Sequence, residues 1–264
     1  MNEQIFEKYC KLIYNYSGIT LNKSKQSLLE NRIGKRLLLL RISPEEYYEL
    51  ASKQSGDELT RLIDAITTNV TYFFRDEEHF DVLKKIIVNL QNEGQKNIRI
   101  WCAACSTGEE PYSIAMACLN VVNPTVRIKI LATDINKNVI NHAKLGVYKD
   151  EIVKDIDKLT LKDNFLQGQG DASNFYKIKP KVQELVQFGQ INLIDHPFPL
   201  NKDIDMIFCR NVMIYFDTET RERIVSEFYN ILKPSGYLFT SLSESLRQYQ
   251  GQFENVSASV GRKK

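Results

Sequence analysis

The clearest indication of the fold is the segment Ile98-Arg-Ile-Trp-Cys-Ala-Ala-Cys-Ser-Thr-Gly-Glu-Glu-Pro111. It is a short apolar run that leads through a turn into a helical pattern. Similar short apolar runs return at residues 127–133, 185–189, 204–209 and 237–241, with helical stretches between them. Strands that alternate with helices predict a mostly parallel sheet covered on both faces, so we expect a doubly wound α/β domain.

The beginning of the chain has a different pattern. Residues before about 65 show only helical periodicity, with helices expected over 4–16, 23–40, from Pro44 onward and over 55–66. We therefore predict a small all-helical domain over residues 1–67 and the α/β domain over 68–264. Within the second domain, residues 158–190 break the alternation. Two short strands around Gly168-Gln-Gly170 predict a β-hairpin insert there.

The composition is that of an ordinary globular protein. Hydrophobic residues make up 43% of the 264, charged residues 26%, and the net charge is only +2. The chain lacks the basic excess of a nucleic-acid-binding domain and the long apolar run of a membrane span. Because it opens with no secretory signal, we expect a cytoplasmic protein with reduced cysteines. Cys102-x-x-Cys105 lacks the further ligands that a metal site would need, so no metal is expected.

The turn after the first strand carries two acids. It has neither the glycines nor the lysine of a phosphate-binding loop, and Glu109 and Glu110 would repel an anion. They suit a cationic or hydroxyl-bearing ligand, or they complement the helix dipole. Asp134 ends the second strand, where an acid binds ribose hydroxyls in α/β nucleotide sites, unless it only caps the helix near Asn136. Glu110 and Asp134 together predict a nucleoside pocket without a phosphate site, and S-adenosylmethionine is such a ligand.

Five strings of residues carry the most specific signal. They are Thr67-Thr-Asn-Val-Thr-Tyr-Phe-Phe-Arg-Asp76, Ser106-Thr-Gly-Glu-Glu-Pro-Tyr-Ser113, Ala132-Thr-Asp134, Asn192-Leu193 and Phe208-Cys-Arg-Asn-Val-Met-Ile-Tyr-Phe-Asp217. Over nearly the whole chain the sequence resembles the chemotaxis receptor methyltransferases of the CheR type. The resemblance implies an enzyme that transfers a methyl group from S-adenosylmethionine to glutamate side chains on chemoreceptor cytoplasmic helices. The product of the cofactor would be S-adenosylhomocysteine.

The same resemblance implies a set of site residues. The cofactor would be bound by Asn69, Thr71 and Arg75 between the domains, by Glu110 and Asp134 at its polar groups, by Asn192 and Leu193 at its adenine, and by Arg210 and Asn211, which close the pocket. Arg75 and Tyr215 would lie closest to the transferred methyl group. We expect Arg75 to orient the incoming carboxylate and Tyr215 to donate a hydrogen bond near the reacting centre.

The chemistry itself requires no general base. A glutamate side chain has a reference pKa of about 4.3, so it is already ionised at neutral pH. In agreement, His79, His142 and His196 fall outside the motifs, and we expect them on the surface or in loops. The apolar residues around the motifs are expected in the core, namely Phe73, Phe74, Ile214 and Phe216.

Two features are candidates for contact with a receptor. At about 100° per residue, Lys25, Arg32 and Arg36 form a basic stripe on one helix. The stripe could recognise an acidic receptor helix, or it could simply be a helix face exposed to solvent. The insert matches the place where some family members bind a receptor's C-terminal peptide by strand addition, although Asn174 replaces a usual glycine. Leu242 stands where a histidine is usual. We expect a monomer.

Two other interpretations stay open at this point. The chain could be another S-adenosylmethionine-dependent methyltransferase that acts on a small molecule or a different protein, with the helical domain and insert as a lid. It could also be a catalytically silent module that only senses the cofactor. The presence of Arg75, Asn211 and Tyr215 favours an active enzyme.

Overall fold

Helices alone form the N-terminal part of the chain. The computed structural model describes residues 1–53, 57–67 and 69–264. Its first helices are α1 (Glu3–Ser17), α2 (Gln26–Leu40), α3 (Pro44–Ser52) and α4 (Asp57–Ile66). Their apolar faces share one core around Tyr9, Ile13 and Tyr47. The helix predicted over 55–66 is therefore present from Asp57 onward, and residues 55 and 56 lie outside the described residues.

Capping interactions explain where these helices begin and end. The side chain of Asn2 accepts a hydrogen bond of 2.9 Å from the Ile5 amide at the start of α1. Gly18 ends α1 with a φ of 72°, a left-handed conformation that favours glycine. Ser43 and Glu46 bond reciprocally to each other's backbone amides at the start of α3, which forms a capping box where the sequence predicts a helix start.

The remaining elements alternate between strand and helix. In chain order they are α5 (Glu77–Asn92), β1 (Asn97–Ala103), α6 (Glu109–Leu119), β2 (Arg127–Asp134), α7 (Lys137–Leu145), β3 (Val147–Lys149), α8 (Asp150–Val153), α9 (Lys158–Asn164), β4 (Phe165–Gln167), β5 (Phe175–Ile178), α10 (Pro180–Gln183), β6 (Val186–Gln190), β7 (Ile204–Cys209), α11 (Thr218–Ile231), β8 (Leu232–Phe239), β9 (Phe253–Ser257) and β10 (Val260–Lys263). Short 3-10 turns lie at Lys23–Lys25, Met213–Tyr215 and Leu246–Tyr249.

The main sheet has seven strands in the order β6-β2-β1-β7-β8-β10-β9. The pairs from β6 to β8 are parallel, and β10 pairs antiparallel with β8 and β9. Ile98 and Ile100 of β1 pack with α5 and α6 on one face, whereas Trp101 packs with α11 on the other. This confirms the predicted doubly wound sheet. The chain order reverses between β1 and β7, and in such sheets the crevice at that reversal binds ligands.

The insert differs from the predicted hairpin in its extent. A small antiparallel sheet has the order β3-β5-β4, so Val147–Lys149 belongs to it as well. The insert predicted over 158–190 begins with a helix and not with a strand, because residues 158–164 form α9, whose start the side chain of Asp157 caps by accepting from two backbone amides. Val186–Gln190, counted with the insert on sequence, pairs with β2 in the main sheet. Its apolar run is also among those that predict the parallel sheet, so that prediction is confirmed, and the insert ends before β6.

Among the residues described, no helix is both long and apolar enough to cross a membrane.

Candidate active site

One cleft lies at the carboxyl ends of β1, β2 and β7, where the reversal of chain order places it. It encloses about 970 Å³ of empty space, counting solvent at its open mouth, which is in the range of ligand pockets. All nine residues expected to bind the cofactor line this cleft, and so does Tyr215. The structure therefore brings together residues that are up to 146 positions apart in the chain, from Asn69 to Tyr215.

Asp134 is fixed at the end of β2 by backbone amides. Its Oδ2 accepts a hydrogen bond of 2.9 Å from the Ser106 amide, and its Oδ1 accepts one of 3.0 Å from the Asn136 amide. Burial raises the pKa of Asp134, although these amides favour the charged form. The side chain that caps α7 is that of Asn136, which accepts from Val139. Asp134 is thus a rigid acceptor on the cleft wall and not the helix cap.

The two acids of the turn have different environments. Glu110 lines the cleft, and its Oε1 accepts from the Cys102 thiol at 3.2 Å. Glu109 is 3% exposed, accepts a hydrogen bond of 2.7 Å from the Thr107 hydroxyl, and does not contribute to the described cleft wall. Burial raises the pKa of Glu109 to about 7. Of this pair, only Glu110 is placed to contact a ligand.

Arg210 is the cation behind the cleft. Its fully buried guanidinium donates 2.6 Å hydrogen bonds to Glu110 and to Asp76, and a 2.7 Å bond to the backbone carbonyl of Arg75. Burial opposes the charge on Arg210, but Glu110 and Asp76 raise its pKa above the ordinary value. These ion pairs connect the end of β7 to the start of α6, through Glu110, and to the segment between the domains, through Asp76. Asp76 was not among the predicted site residues, although it ends the first of the five strings.

The two expected catalytic residues come from distant parts of the chain, Arg75 from the segment before α5 and Tyr215 from the segment after β7. Arg75 donates a hydrogen bond of 3.1 Å to the Val70 carbonyl, and its guanidinium lies 5.5 Å from the centre of the Tyr72 ring. Tyr215 belongs to the turn Met213–Tyr215, and its backbone carbonyl accepts 2.9 Å from the Thr20 amide. Both side chains are half-buried and line the same cleft.

The helical domain supplies part of the cleft wall, which the sequence analysis did not anticipate. Ser17 and Ile19 line the cleft on either side of Gly18. A Cβ at Gly18 would lie 2.5 Å from Cγ2 of Ile194, so only glycine allows this approach. Nearby, Nδ2 of Asn192 donates a hydrogen bond of 2.6 Å to the Tyr16 carbonyl. The only available signal was the glycine itself, which predicted just the end of α1.

Two expectations about surrounding side chains are wrong. Ile214, expected in the core, is 55% exposed because the turn Met213–Tyr215 points it outward, whereas Phe73 and Phe216 are buried as predicted. His79, expected on the surface, is 2% exposed, and its Nε2 lies 2.6 Å from the Ser259 hydroxyl. The cleft wall, as far as the structure describes it, contains no histidine.

The basic stripe is less regular than the sequence suggests. Arg36 bonds to Glu58 of α4 through both Nε, at 3.0 Å, and Nη2, so it ties two helices together. Lys25 lies in the 3-10 turn before α2, where a spacing of 100° per residue does not hold. Lys25 and Arg32 are exposed. The stripe is therefore reduced to these two exposed cations, with Arg36 in a structural role.

The residues present fit S-adenosylmethionine. Asp134 offers a fixed acceptor for hydroxyl groups, and Glu110 offers a second carboxylate. Leu193, Ile135 and Phe216 add apolar surface for a flat ring. The acidic turn would repel a phosphate, and S-adenosylmethionine has none.

Comparison with known proteins gives the family. The model of the CheR methyltransferase all-alpha domain matches residues 4–67, and that of the CheR methyltransferase SAM binding domain matches residues 69–262. The Chemotaxis protein methyltransferase of Borreliella burgdorferi is 40% identical over 249 residues, 90% of this chain and 86% of the relative. The Chemotaxis protein methyltransferase of Escherichia coli is 34% identical over 256 residues, 96% of this chain and 88% of the relative.

Among solved structures, the magnesium protoporphyrin IX methyltransferase (ChlM) from Synechocystis PCC 6803 with bound SAM is 13% identical. The match spans 70% of this chain and 76% of the ChlM chain, with a TM-score of 0.37, and adds no argument to the family match. The family models and relatives confirm the resemblance and the expected cofactor. The chain belongs to the CheR methyltransferase family, and it is an S-adenosylmethionine-dependent methyltransferase of chemotaxis.

Proposed function

We propose that this protein methylates glutamate side chains on the cytoplasmic helices of chemoreceptors, in the cytoplasm and as a monomer. One observation carries the proposal: Arg75 and Tyr215 line the same cleft as the residues expected to bind the cofactor. The cleft is open at its mouth, so a side chain of another protein can enter it. The receptor as target is what membership of this family implies.

The cofactor-binding roles follow from the environment of each residue. Asp134 and Glu110 bind polar groups of the ligand, because both present carboxylate oxygens to the cleft. Leu193 packs against the adenine, while Asn192, whose Nδ2 is held by Tyr16, keeps that segment in place. Asn69 and Thr71 line the cleft from the segment between the domains, and Arg210 and Asn211 line it from the end of β7.

For the transfer itself, the bound S-adenosylmethionine supplies an electrophilic methyl group. The chain must align the glutamate oxygen with that group and exclude water. Arg75 orients the carboxylate from the cleft wall, and its bond to Val70 limits how tightly it pairs with the nucleophile. Tyr215 donates a hydrogen bond close to the reacting centre. A carboxylate is ionised at neutral pH, so this arrangement needs no base.

The docking surface combines charge and apolar contact. Lys25 and Arg32 are exposed cations that suit an acidic receptor helix. On the same helix as Arg32, Leu38 and Leu39 are 80% and 70% exposed, which is unusual for leucine in a helix that faces only water. Arg36 is left out of this surface because Glu58 occupies it.

The insert is the second docking element. β4 lies at one edge of the small sheet, where an extended receptor peptide can pair with it. The turn depends on Gly168, since a Cβ there would clash with the Ala172 carbonyl oxygen. Asn174, in place of the usual glycine, is exposed, and its carbonyl accepts a hydrogen bond of 2.8 Å from the Asp150 backbone amide.

The test is incubation with methyl-labelled S-adenosylmethionine and membranes that carry chemoreceptors. Base-labile label on receptor glutamates supports the proposal, because methyl esters hydrolyse in base. Label on another protein or a small molecule would assign the enzyme a different substrate. Cofactor binding by calorimetry without any transfer would make it a silent sensor.

A further inference from the structure

Glu244 lies in the loop after β8, and its carboxylate contacts the segment 210–216 that forms one side of the cleft. Its Oε2 accepts a hydrogen bond of 3.0 Å from the Asn211 amide, and its Oε1 accepts one of 3.2 Å from the Ile214 amide. Asn211 and Tyr215 of this segment line the cleft, whereas Glu244 does not contribute to the described wall. The contact is therefore with the back of the wall.

The segment contains one backbone conformation that benefits from such support. Asn211 has a φ of 58°, in the left-handed region that residues other than glycine adopt infrequently, asparagine more often than most. A conformation of this kind persists only where surrounding groups hold it. Amides that donate to a carboxylate make stronger bonds than amides that donate to a neutral oxygen. Glu244 thus stabilises the segment where the backbone is least favourable.

Glu244 is itself held in place. Its Oε2 also accepts from Ser241, 3.1 Å from the amide and 2.6 Å from the hydroxyl. The Thr240 hydroxyl donates 2.7 Å to the Glu244 carbonyl. The described residues thereby give this carboxylate four donors, two from Ser241, just after β8, and two from the cleft segment. Ser241 therefore fixes the Glu244 carboxylate, and the carboxylate in turn fixes the backbone amides of Asn211 and Ile214.

We propose that Glu244 is a positioning residue for methyl transfer. Through the amides of Asn211 and Ile214 it sets the places of Asn211 and Tyr215 in the cleft. This inference rests on the proposed function of the cleft. Glu244 touches neither the cofactor nor the receptor; it acts through the backbone that carries the residues that do.

The test is Glu244→Gln, which keeps the length of the side chain but replaces one oxygen with an NH2 group. That group cannot accept from an amide, so one of the two bonds to the segment is lost. We expect S-adenosylhomocysteine to bind about tenfold more weakly, the effect of one hydrogen bond to a charged group. At saturating cofactor, kcat for receptor methylation should fall as well, and the amides of Asn211 and Ile214 should exchange hydrogen faster.

Glu254→Gln is the matched control, because Glu254 is exposed on β9 and should behave as wild type. If Glu244→Gln lowers only the melting temperature, with binding and kcat unchanged, Glu244 is structural and the inference is wrong. Should Glu244→Gln fail to fold, Ser241→Ala removes the 2.6 Å bond that holds Glu244, with an expected loss of about threefold in affinity. Wild-type affinity in Ser241→Ala would then overturn the inference. Binding is measured without receptor, so a wrong receptor assignment would leave this result intact.

Discussion

The phenol oxygen of Tyr14, on α1, donates a hydrogen bond of 2.7 Å to Oδ2 of Asp217, which caps α11 through Thr220. The residues are 203 positions apart and belong to the helical domain and the α/β domain. A second hydrogen bond runs from the Thr20 amide to the Tyr215 carbonyl. The two bonds join α1 and the residues just after it to the segment 210–217, which forms one side of the cleft. The helical domain therefore forms part of the cleft, in addition to carrying the surface that we propose for docking.

Tyr14→Phe tests this connection. The ring remains and only the hydroxyl is lost, so the helices should keep their packing while the contact with Asp217 disappears. We expect the affinity for S-adenosylhomocysteine to fall about threefold, as for a partly exposed hydrogen bond, measured by calorimetry. Tyr176→Phe on β5 makes the same chemical change in the insert and should leave affinity unchanged. Equal affinities for the two variants would show that the cleft does not depend on this contact.

Sequence reasoning predicted the sheet and the cleft but not how their parts are held. The apolar runs predicted β1, β2 and β7, and the acids at the ends of β1 and β2 indicated the cleft, because parallel strands end at the same edge. The predictions that failed concern side chains whose contacts lie far away in the sequence. Neither the burial of His79 against Ser259 nor the pairing of Arg36 with Glu58 has a local pattern, since each requires the tertiary fold.

A second prediction separates catalysis from binding at Arg75. Arg75→Ala should lower kcat for receptor methylation about a hundredfold, because the carboxylate loses its orienting group, and should change S-adenosylhomocysteine affinity much less. Tyr215→Phe should show the same division with a smaller loss in kcat. Radiometric assays at saturating cofactor give kcat, and calorimetry gives affinity.

Arg247→Ala is the control for Arg75→Ala, because Arg247 lies in the turn Leu246–Tyr249, outside the described cleft wall. It should methylate at the wild-type rate. Wild-type turnover by both Arg75→Ala and Tyr215→Phe would remove these two residues from the catalytic assignment and leave the cofactor site as it is.

The two arginines of α2 should behave differently on substitution. Arg32→Gln removes an exposed cation, so KM for the receptor should rise about threefold at low salt and the difference should shrink at high salt. Arg36→Gln breaks the bonds to Glu58, so it should lower the free energy of unfolding by about 1 kcal/mol. Urea denaturation and receptor titrations at two ionic strengths measure both effects. The reverse pattern would return Arg36 to the docking surface and remove Arg32 from it.

His79 makes stability depend on pH although it takes no part in the chemistry. Burial lowers its pKa from 6.5 to about 4, and the nearby charge of Arg210 acts in the same direction. Between these values the unfolded chain binds a proton at this site and the folded protein does not. The folded state therefore loses stability as the pH falls through this window.

We expect the contribution of His79 to lower the free energy of unfolding by about 2 kcal/mol between pH 7 and pH 5. His79→Gln has no titratable group there and can still bond to the Ser259 hydroxyl, so its stability should fall by about that much less over the same interval. Urea titrations at the two pH values measure the difference. His142→Gln changes an exposed histidine and should follow the wild type. If the stability of His79→Gln also falls as much as that of the wild type, His79 takes up a proton in the folded protein as readily as in the unfolded chain. Burial would then not keep His79 neutral.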